Sequence, residues 1–572
     1  MKRASNHRWP LLFVAFFATS AAAFADTVAG TVTYENKTYD ETGFTGTNSL
    51  PVRSADVEVV RGDDVTLGSG ETASDGTYSI VIPDQGAQTI YLRVYARQDN
   101  ASVNVVVMDN STDDQIYTAT TVPAIQDTSA PIAGLDLAIT IASGAAPAFN
   151  IFDMGVWNFE YTATVDVPLA SPLPQLTIYW ESGSVNGTYY SRAQDAIFLL
   201  GKVSDTDEYD DDIVLHEIGH FMAVNFSQDD SPGGYHTITG QYDLRLAWSE
   251  GWAHFWSCAV RRFAGLALYP LPETIIDTFG SSASAFEIET PSFAGQTYMA
   301  TNEVAVAAVL WDISDDTAGE GGFDNLFKGD DEIWIVFDNE IPGLSQISIE
   351  DFFTGWQNQV VPADVTATVI VFADRFIIYA ADLSEPNDST AAATTLLDAT
   401  PITTNTFYPA GDEDWFKITA GVGDKAQFET TNLGDGCDTF LTLYDTNGTT
   451  VLASNDDRSA SDVSSSLEYD FTVAGDYYVK VEAYSGVLQI AEFGYYDLSY
   501  TTVPNASPTI SATSASPSSG TAPFTVSFSA TTGDSDGSIV RYEWDFDGDG
   551  NYDYQSRDSG NVSYTYSVAG VY

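Results

Sequence analysis

The chain has 572 residues, too many for one hydrophobic core, and 44% of them are hydrophobic, as in folded globular proteins. Its 21 Lys and Arg stand against 81 Asp and Glu, a formal charge of −60. Such a surface repels nucleic acid and anionic membranes and argues against both as partners. The two cysteines, Cys258 and Cys437, fall in different segments and predict no structural disulfide.

Residues 1–25 have the parts of a secretory signal: a basic start (Lys2, Arg3, Arg8), an apolar run over 11–18, and Ala23-Phe24-Ala25 ahead of Asp26. The run is too short to span a bilayer comfortably, and no other stretch reaches about 18 apolar residues. Export is expected, with no transmembrane segment after signal removal. Residues 26–142 alternate apolar and polar positions in short runs separated by turn signals such as Asp75-Gly76, the pattern of a small β-sandwich. Gly30-Thr31-Val32, Ala55-Asp56-Val57-Glu58-Val59 and Asp75-Gly76-Thr77-Tyr78 resemble the regulatory-like, transthyretin-like domains attached to carboxypeptidases and other secreted enzymes. No catalytic spacing occurs there, so a folding or spacer module is expected.

A small-residue linker over 142–148 leads into 145–378, where eight of the eleven tryptophans lie and mark a larger core. Residues 176–180 and 196–200 read as strands, positioned so that an edge could hold an extended peptide. The acidic run 205–212 reads as a solvated loop entering a helix N-terminus, where negative charge is favourable; a calcium site is a second possibility. The helix then carries His216-Glu217-Ile218-Gly219-His220. Residues four apart share a helix face, so both imidazoles can meet one ion, and Glu217 can reach a water beside it. Imidazole suits Zn²⁺, and the carboxylate can shuttle the water's proton. With five histidines in 572 residues, the pattern is far above chance.

A tetrahedral zinc with one open position needs a third protein ligand. His236, Asp243, Glu250 and His254 are the nearby candidates. Glu250 is favoured because its carboxylate lies in a tryptophan-rich helix over 247–255, where a buried charge needs a cation or partner. His254, one turn on, is the competitor or a group orienting a ligand from behind. His236, in the glycine-rich loop, is the candidate oxyanion donor, ahead of Tyr235 and Tyr242. A further helix begins near Glu303, and Glu303 and Asp312 at its ends are read as capping and solvated, with a role at the site as the second reading. His216-Glu217-x-x-His220-Phe221 with Trp248-Ser249-Glu250-Gly251-Trp252-Ala253 resembles zinc metallopeptidases of the thermolysin-like (gluzincin) type. The resemblance implies an α+β peptidase core, one catalytic zinc on His216, His220 and Glu250, and a protein or peptide substrate. The 30 residues from His220 to Glu250 exceed the gap in thermolysin itself. A metzincin needs a third His soon after His220, and 221–228 has none.

Residues 382–502 turn β-rich and acidic. Glu385-Pro386-Asn387-Asp388, Gly411-Asp412-Glu413-Asp414-Trp415-Phe416 and Ala474-Gly475-Asp476-Tyr477-Tyr478-Val479 resemble the bacterial pre-peptidase C-terminal domain, a β-sandwich of secreted peptidases. Within 507–572, Tyr542-Glu543-Trp544-Asp545-Phe546-Asp547-Gly548-Asp549-Gly550 resembles a PKD domain, expected to continue beyond Tyr572. Asp545, Asp547, Asp549 and Asn551 alternate like half of a calcium loop, so Ca²⁺ is a second candidate cofactor, but Ser556 stands where an EF-hand has Glu. The fold class expected is multidomain, an α+β metallopeptidase core flanked by all-β sandwiches, acting as a secreted zinc endopeptidase. The alternatives are a catalytically lapsed adhesion protein displaying β-sandwich modules and a zinc hydrolase of other substrates. An intact Glu217 argues against lapse.

Overall fold

Tyr78, Ile80 and Ile82 are buried while Thr77, Ser79 and Val81 face out, the period-two burial that makes Thr77–Pro83 a half-buried strand. The same alternation recurs through the N-terminal region and builds two five-stranded sheets. One is centred on the long strand Ala25–Asp40, paired with Gly43–Pro51, Thr77–Pro83, Ile132–Ala133 and Leu137–Ile139. The other runs Ala124–Asp127, Ala87–Tyr95, Asp56–Arg61 and Thr66–Glu71, with Thr118–Thr120 at its side. The computed structural model describes residues 25–280, 282–291, 299–315, 326–484, 493–503, 506–535 and 537–572. The signal segment expected at the start lies outside them up to residue 24. The chain divides at Ile377 into two units, 1–377 and 378–572.

A third five-stranded sheet draws on strands from both sides of residue 142. Its order is Tyr189–Ser191, Ala196–Leu199, Leu176–Trp180, Asn104–Met108 and Arg97–Asp99. Leu176–Trp180 pairs in parallel with Asn104–Met108, so N-terminal residues supply two strands of the sheet beside the histidine helix. The stretch 142–148 is likewise no free linker. Ala146, Pro147 and Ala148 are buried and open helix α1, Ala146–Val165, which sequence periodicity did not reveal because it is buried on nearly every side, polar residues such as Asn150, Asp153 and Asn158 included.

Six more helices follow: α2 Asp211–Phe226, α3 Leu244–Ala264, α4 Glu303–Ser314, α5 Asp330–Asn339, α6 Ile349–Gln359 and α7 Pro362–Asp374. Their core is the tryptophan cluster. Trp248, Trp252 and Trp256 recur every four residues along α3 and are each at most 1% exposed. Trp252 stacks on Phe337 of α5 at 3.6 Å between ring centres, and its indole donates to the Gly219 carbonyl of α2. Trp256 donates to Asn158 of α1 at 2.8 Å. Burying one such ring is worth about 1.5–3 kcal/mol or more.

The N-terminal strands also reach into the helices through charge. Arg53 is 5% exposed, donates to Asp153 at 2.8 Å and Glu160 at 2.7 Å, and lies over the Trp157 ring. Losing one partner of such a buried pair typically costs about 3–5 kcal/mol. Tyr39 donates to Asp212 at the start of α2 and accepts from the Asp211 backbone. The acidic run is therefore not a solvated loop: Asp207, Glu208, Asp210, Asp211 and Asp212 are all buried. Each finds a donor. Asp210 accepts from the Thr278 backbone and hydroxyl, and Asp211 from Asn150 and Tyr269. Burial raises the Asp210 pKa to about 9 and that of Asp211 to about 7.

In the second unit a five-stranded sheet, Thr394–Thr395, Glu413–Ala420, Gly475–Ala483, Thr439–Tyr444 and Val451–Asn455, accompanies a four-stranded one, Ile402–Thr406, Tyr495–Val503, Lys425–Gly434 and Ser466–Asp470. Phe416, Phe428, Leu441, Val479 and Tyr496 form the core they share. Three further strands, Thr509–Ser516, Phe524–Gly533 and Val562–Tyr566, pair separately near the C-terminus. The molecule is multidomain with β-sandwich-like parts and seven helices among the described residues. Cys258 and Cys437 are free and buried.

A chain lacking residues 26–142 should not fold. It loses two strands of the third sheet and the Arg53 and Tyr39 anchors of α1 and α2. Soluble yield and cooperative thermal unfolding check this against the full chain; a soluble, cooperatively unfolding truncation would contradict it.

Candidate metal centre

Val214, Leu215, Ile218, Phe221 and Met222 bury α2 on several sides. His216 and His220, four apart, are left on the remaining face. On α3 the tryptophans take one side, and Glu250 and His254 fall on another. Glycines let the two faces meet. A Cβ on Gly219 would stand 2.7 Å from the Ala253 Cα, and one on Gly251 would stand 2.5 Å from the Val306 Cβ of α4. Any larger residue at either position would push the helices apart.

This approach brings the Nε2 atoms of His216 and His220 to 3.1 and 3.2 Å from Glu250 Oε2. The three side chains each offer one donor atom, all within 4.8 Å of one another. Tetrahedral ligands about 2.0–2.2 Å from a zinc ion stand about 3.3 Å apart, so the spacing and the N,N,O donor set both fit zinc with one open position. His220, Glu250 and His216 hold one another electrostatically. Burial opposes charge on Glu250, but His220 and His216 hold its carboxyl well below the usual range. Burial also opposes charge on His220, yet Glu250 raises it to about 9. Burial and the neighbouring His254 lower His216 to about 3.

Both ligating rings are held from behind. His216 Nδ1 lies 3.0 Å from His254 Nδ1. His220 Nδ1 lies 3.2 Å from the Ser249 hydroxyl, which donates to Asp229, itself paired with Arg192. Ser249 and Asp229 were not singled out from sequence: Asp229 sits in the loop after α2, and only the fold returns it to α3. Glu217 is buried and lines the same cleft of about 620 Å³, with Thr188, Tyr190, Ile275 and Asp277 on its walls. Burial pushes the Glu217 pKa to about 7, the range useful to a general base.

His236 reaches the cleft, its Nε2 3.4 Å from Glu250 Oε1 and its Nδ1 2.8 Å from Glu303 Oε2. Tyr235 is 88% exposed, and the Tyr242 hydroxyl is engaged with Thr237. Asp243 caps α3 and pairs with Arg245, which excludes it as a ligand in this geometry. Glu303 is not a solvated capping residue. It is 1% exposed, and Asn302 does the capping by accepting from the Ala305 backbone. Burial opposes its charge, but His236 and His254 hold its pKa near 2. Asp312, at the other end of α4, is buried and paired with Arg375. The loop bearing Asp545, Asp547, Asp549 and Asn551 belongs to the second unit. Asp545 accepts from the Gly548 and Gly550 backbones, Asp547 from that of Asp549, and Asp549 from that of Asn551, so local turn capping engages these carboxylates.

Residues 172–373 match the family model of the Mycolysin C-terminal domain, 412–483 that of the bacterial pre-peptidase C-terminal domain, and 505–572 that of the PKD domain. These matches support a peptidase architecture of the thermolysin-like secreted kind. Over 140 residues the chain is 30% identical to an uncharacterized protein of Archaeoglobus fulgidus, covering 23% of this chain and 36% of that protein. The chain thus spans about a third of the length of the curated relative it matches. Among solved structures it is similar to the pre-peptidase C-terminal domain of a Bacillus anthracis collagenase, at 16% identity and TM-score 0.16 over 19% of this chain and 94% of that one. It is also similar to Aeromonas hydrophila PliG, a periplasmic lysozyme inhibitor, at 12% identity and TM-score 0.15 over 19% and 97%. No helix of the described residues is long and apolar enough to cross a membrane.

Glu250→Ala should abolish zinc retention, because two imidazoles and a water leave the ion one ligand short. His254→Ala should weaken zinc binding by about 10- to 100-fold, the range for a group acting behind a ligand. Zinc stoichiometry of the two purified, folded variants checks this. Full zinc in the first with none in the second would reverse the assignment.

Proposed function

We propose that the chain is a secreted zinc-dependent endopeptidase. The observation that carries this reading is the meeting of four of the chain's five histidines with Glu217 and Glu250 in one cleft, backed by Glu303, inside the segment that matches the Mycolysin C-terminal domain.

His216, His220 and Glu250 would hold the ion, which when bound would acidify a water and polarise a carbonyl. Glu217 accepts the attacking water's proton and returns it to the leaving amine; one carboxylate serves as base and then acid. His236, held as an imidazolium by Glu303 at Nδ1, presents its second N–H at Nε2 to the cleft and donates it to the oxyanion that develops on the scissile carbonyl. Tyr189–Ser191 is the edge strand of its sheet, Thr188 and Tyr190 place it on the cleft wall, and an extended peptide would lie along that edge. Ser249 and Asp229 keep His220 turned toward the ion. Export by the N-terminal signal, a regulatory-like identity for 26–142, and calcium in the 545–551 loop are extensions of the same proposal, carried by sequence resemblance alone.

Glu217→Gln should lose at least about 100-fold in turnover of a casein-like substrate while keeping a full complement of zinc, because the residue acts on water and not on the metal. Turnover and metal analysis on one preparation check both halves. Unchanged turnover would remove Glu217 from the mechanism, and lost zinc would make it a ligand.

A further inference from the structure

Glu303 opens α4 with its carboxylate turned inward, and it meets two histidines from different elements. Oε2 lies 2.8 Å from Nδ1 of His236, in the loop ahead of α3, and Oε1 lies 3.7 Å from Nε2 of His254, on α3. The close packing of α4 on α3 at Gly251 sets this placement; the Glu303 carbonyl stands 2.7 Å from where a Gly251 Cβ would be. His254 Nε2 is buried and makes no hydrogen bond among the described residues, so it faces the Glu303 carboxylate with a polar atom still to satisfy.

Proton positions follow from the contacts. If His216 gives Nε2 to the cation, its remaining hydrogen is on Nδ1 and is donated to His254 Nδ1 across 3.0 Å. His254 must then carry its own hydrogen on Nε2, the atom that faces Glu303. On the other arm, His236 donates Nδ1–H to Glu303, and as the imidazolium paired with that carboxylate it carries its second hydrogen on Nε2, the atom turned to the cleft. One buried carboxylate therefore sets the tautomer of the histidine behind a metal ligand and the ring orientation of the histidine that meets substrate.

We propose that Glu303 is a positioning residue that serves both arms at once: through His254 it tunes the grip of His216 on zinc, and through His236 it aims the oxyanion donor. This rests on the zinc peptidase reading. A residue with only a packing role would leave both metal affinity and turnover of the folded protein unchanged.

The test uses the full chain and its Glu303→Gln variant, with zinc dissociation constants from chelator competition and kcat and KM on a casein-like substrate at saturating zinc. Glutamine keeps the shape but cannot accept from both histidines. The dissociation constant should rise about 10- to 100-fold, and kcat should fall about 100-fold with KM little changed. His254→Gln should reproduce only the zinc effect and His236→Gln only the kcat effect. These two variants decide the matter even if Glu303→Gln does not fold. In the double variant Glu303→Gln/His254→Gln, the zinc effect should not exceed that of His254→Gln alone, because the two residues act in series. A zinc-binding, casein-cleaving parent whose folded Glu303→Gln variant matches it in both measurements would overturn this inference and leave the peptidase reading standing. So would His254→Gln and His236→Gln variants that each lose both properties equally. A parent that takes up no zinc would overturn the metal reading and this inference with it.

Discussion

The cleft depends on how closely α2 approaches α3. Gly219 lies against the backbone of Ala253 with no room for a methyl group, and the Trp252 indole ties the Gly219 carbonyl across the same contact. That contact sets the reach of His216 and His220 to a single oxygen of Glu250. Zinc–ligand distances tolerate only about 0.2 Å, so a helix displaced by a side chain would leave two histidines and a carboxylate unable to share an ion. The tryptophan cluster on the far side of α3 holds the approach by burial. Polar groups then fill the near side, where Glu250 faces His216 and His220 and Glu303 faces His236.

Around that contact the N-terminal strands act as part of the same body. Asn104–Met108 pairs into the sheet beside α2, Arg53 neutralises Asp153 and Glu160 of α1, and Tyr39 closes the start of α2. A chain of net charge −60 has many carboxylates to accommodate, and those of 207–212 are accommodated inside, by donors from strands, loops and tyrosines, rather than in solvent. Burial raises the pKa of Asp207, Glu208, Asp210 and Asp211, which favours their neutral forms and lowers the cost of placing so many together.

The local parts of this arrangement were legible in the sequence. Helical spacing alone puts His216 and His220 on one face, and the apolar pattern of 247–255 singles out Glu250 as a carboxylate in need of a partner; the structure brings these three together. His236 and His254 could be named as candidates but not oriented. What escaped the sequence depends on chain segments meeting in space. Glu303 looks like a helix-capping acid because capping is what an acid at a helix start commonly does, and only the packing of α4 on α3 turns it inward. Asp229 and Ser249 form one relay although a loop separates them. Helix α1, buried on nearly every side, shows no period, and the parallel pairing of Leu176 with Val105 joins segments that composition places in different domains.

The central claim is that one zinc ion per chain in this cleft makes the protein a peptidase. Titrating zinc into metal-free full-length protein while following cleavage of an unfolded protein substrate tests it most directly. The account predicts that activity rises in proportion to bound zinc and saturates at about one ion per chain. Full occupancy with no cleavage, or cleavage that is indifferent to zinc, would contradict it.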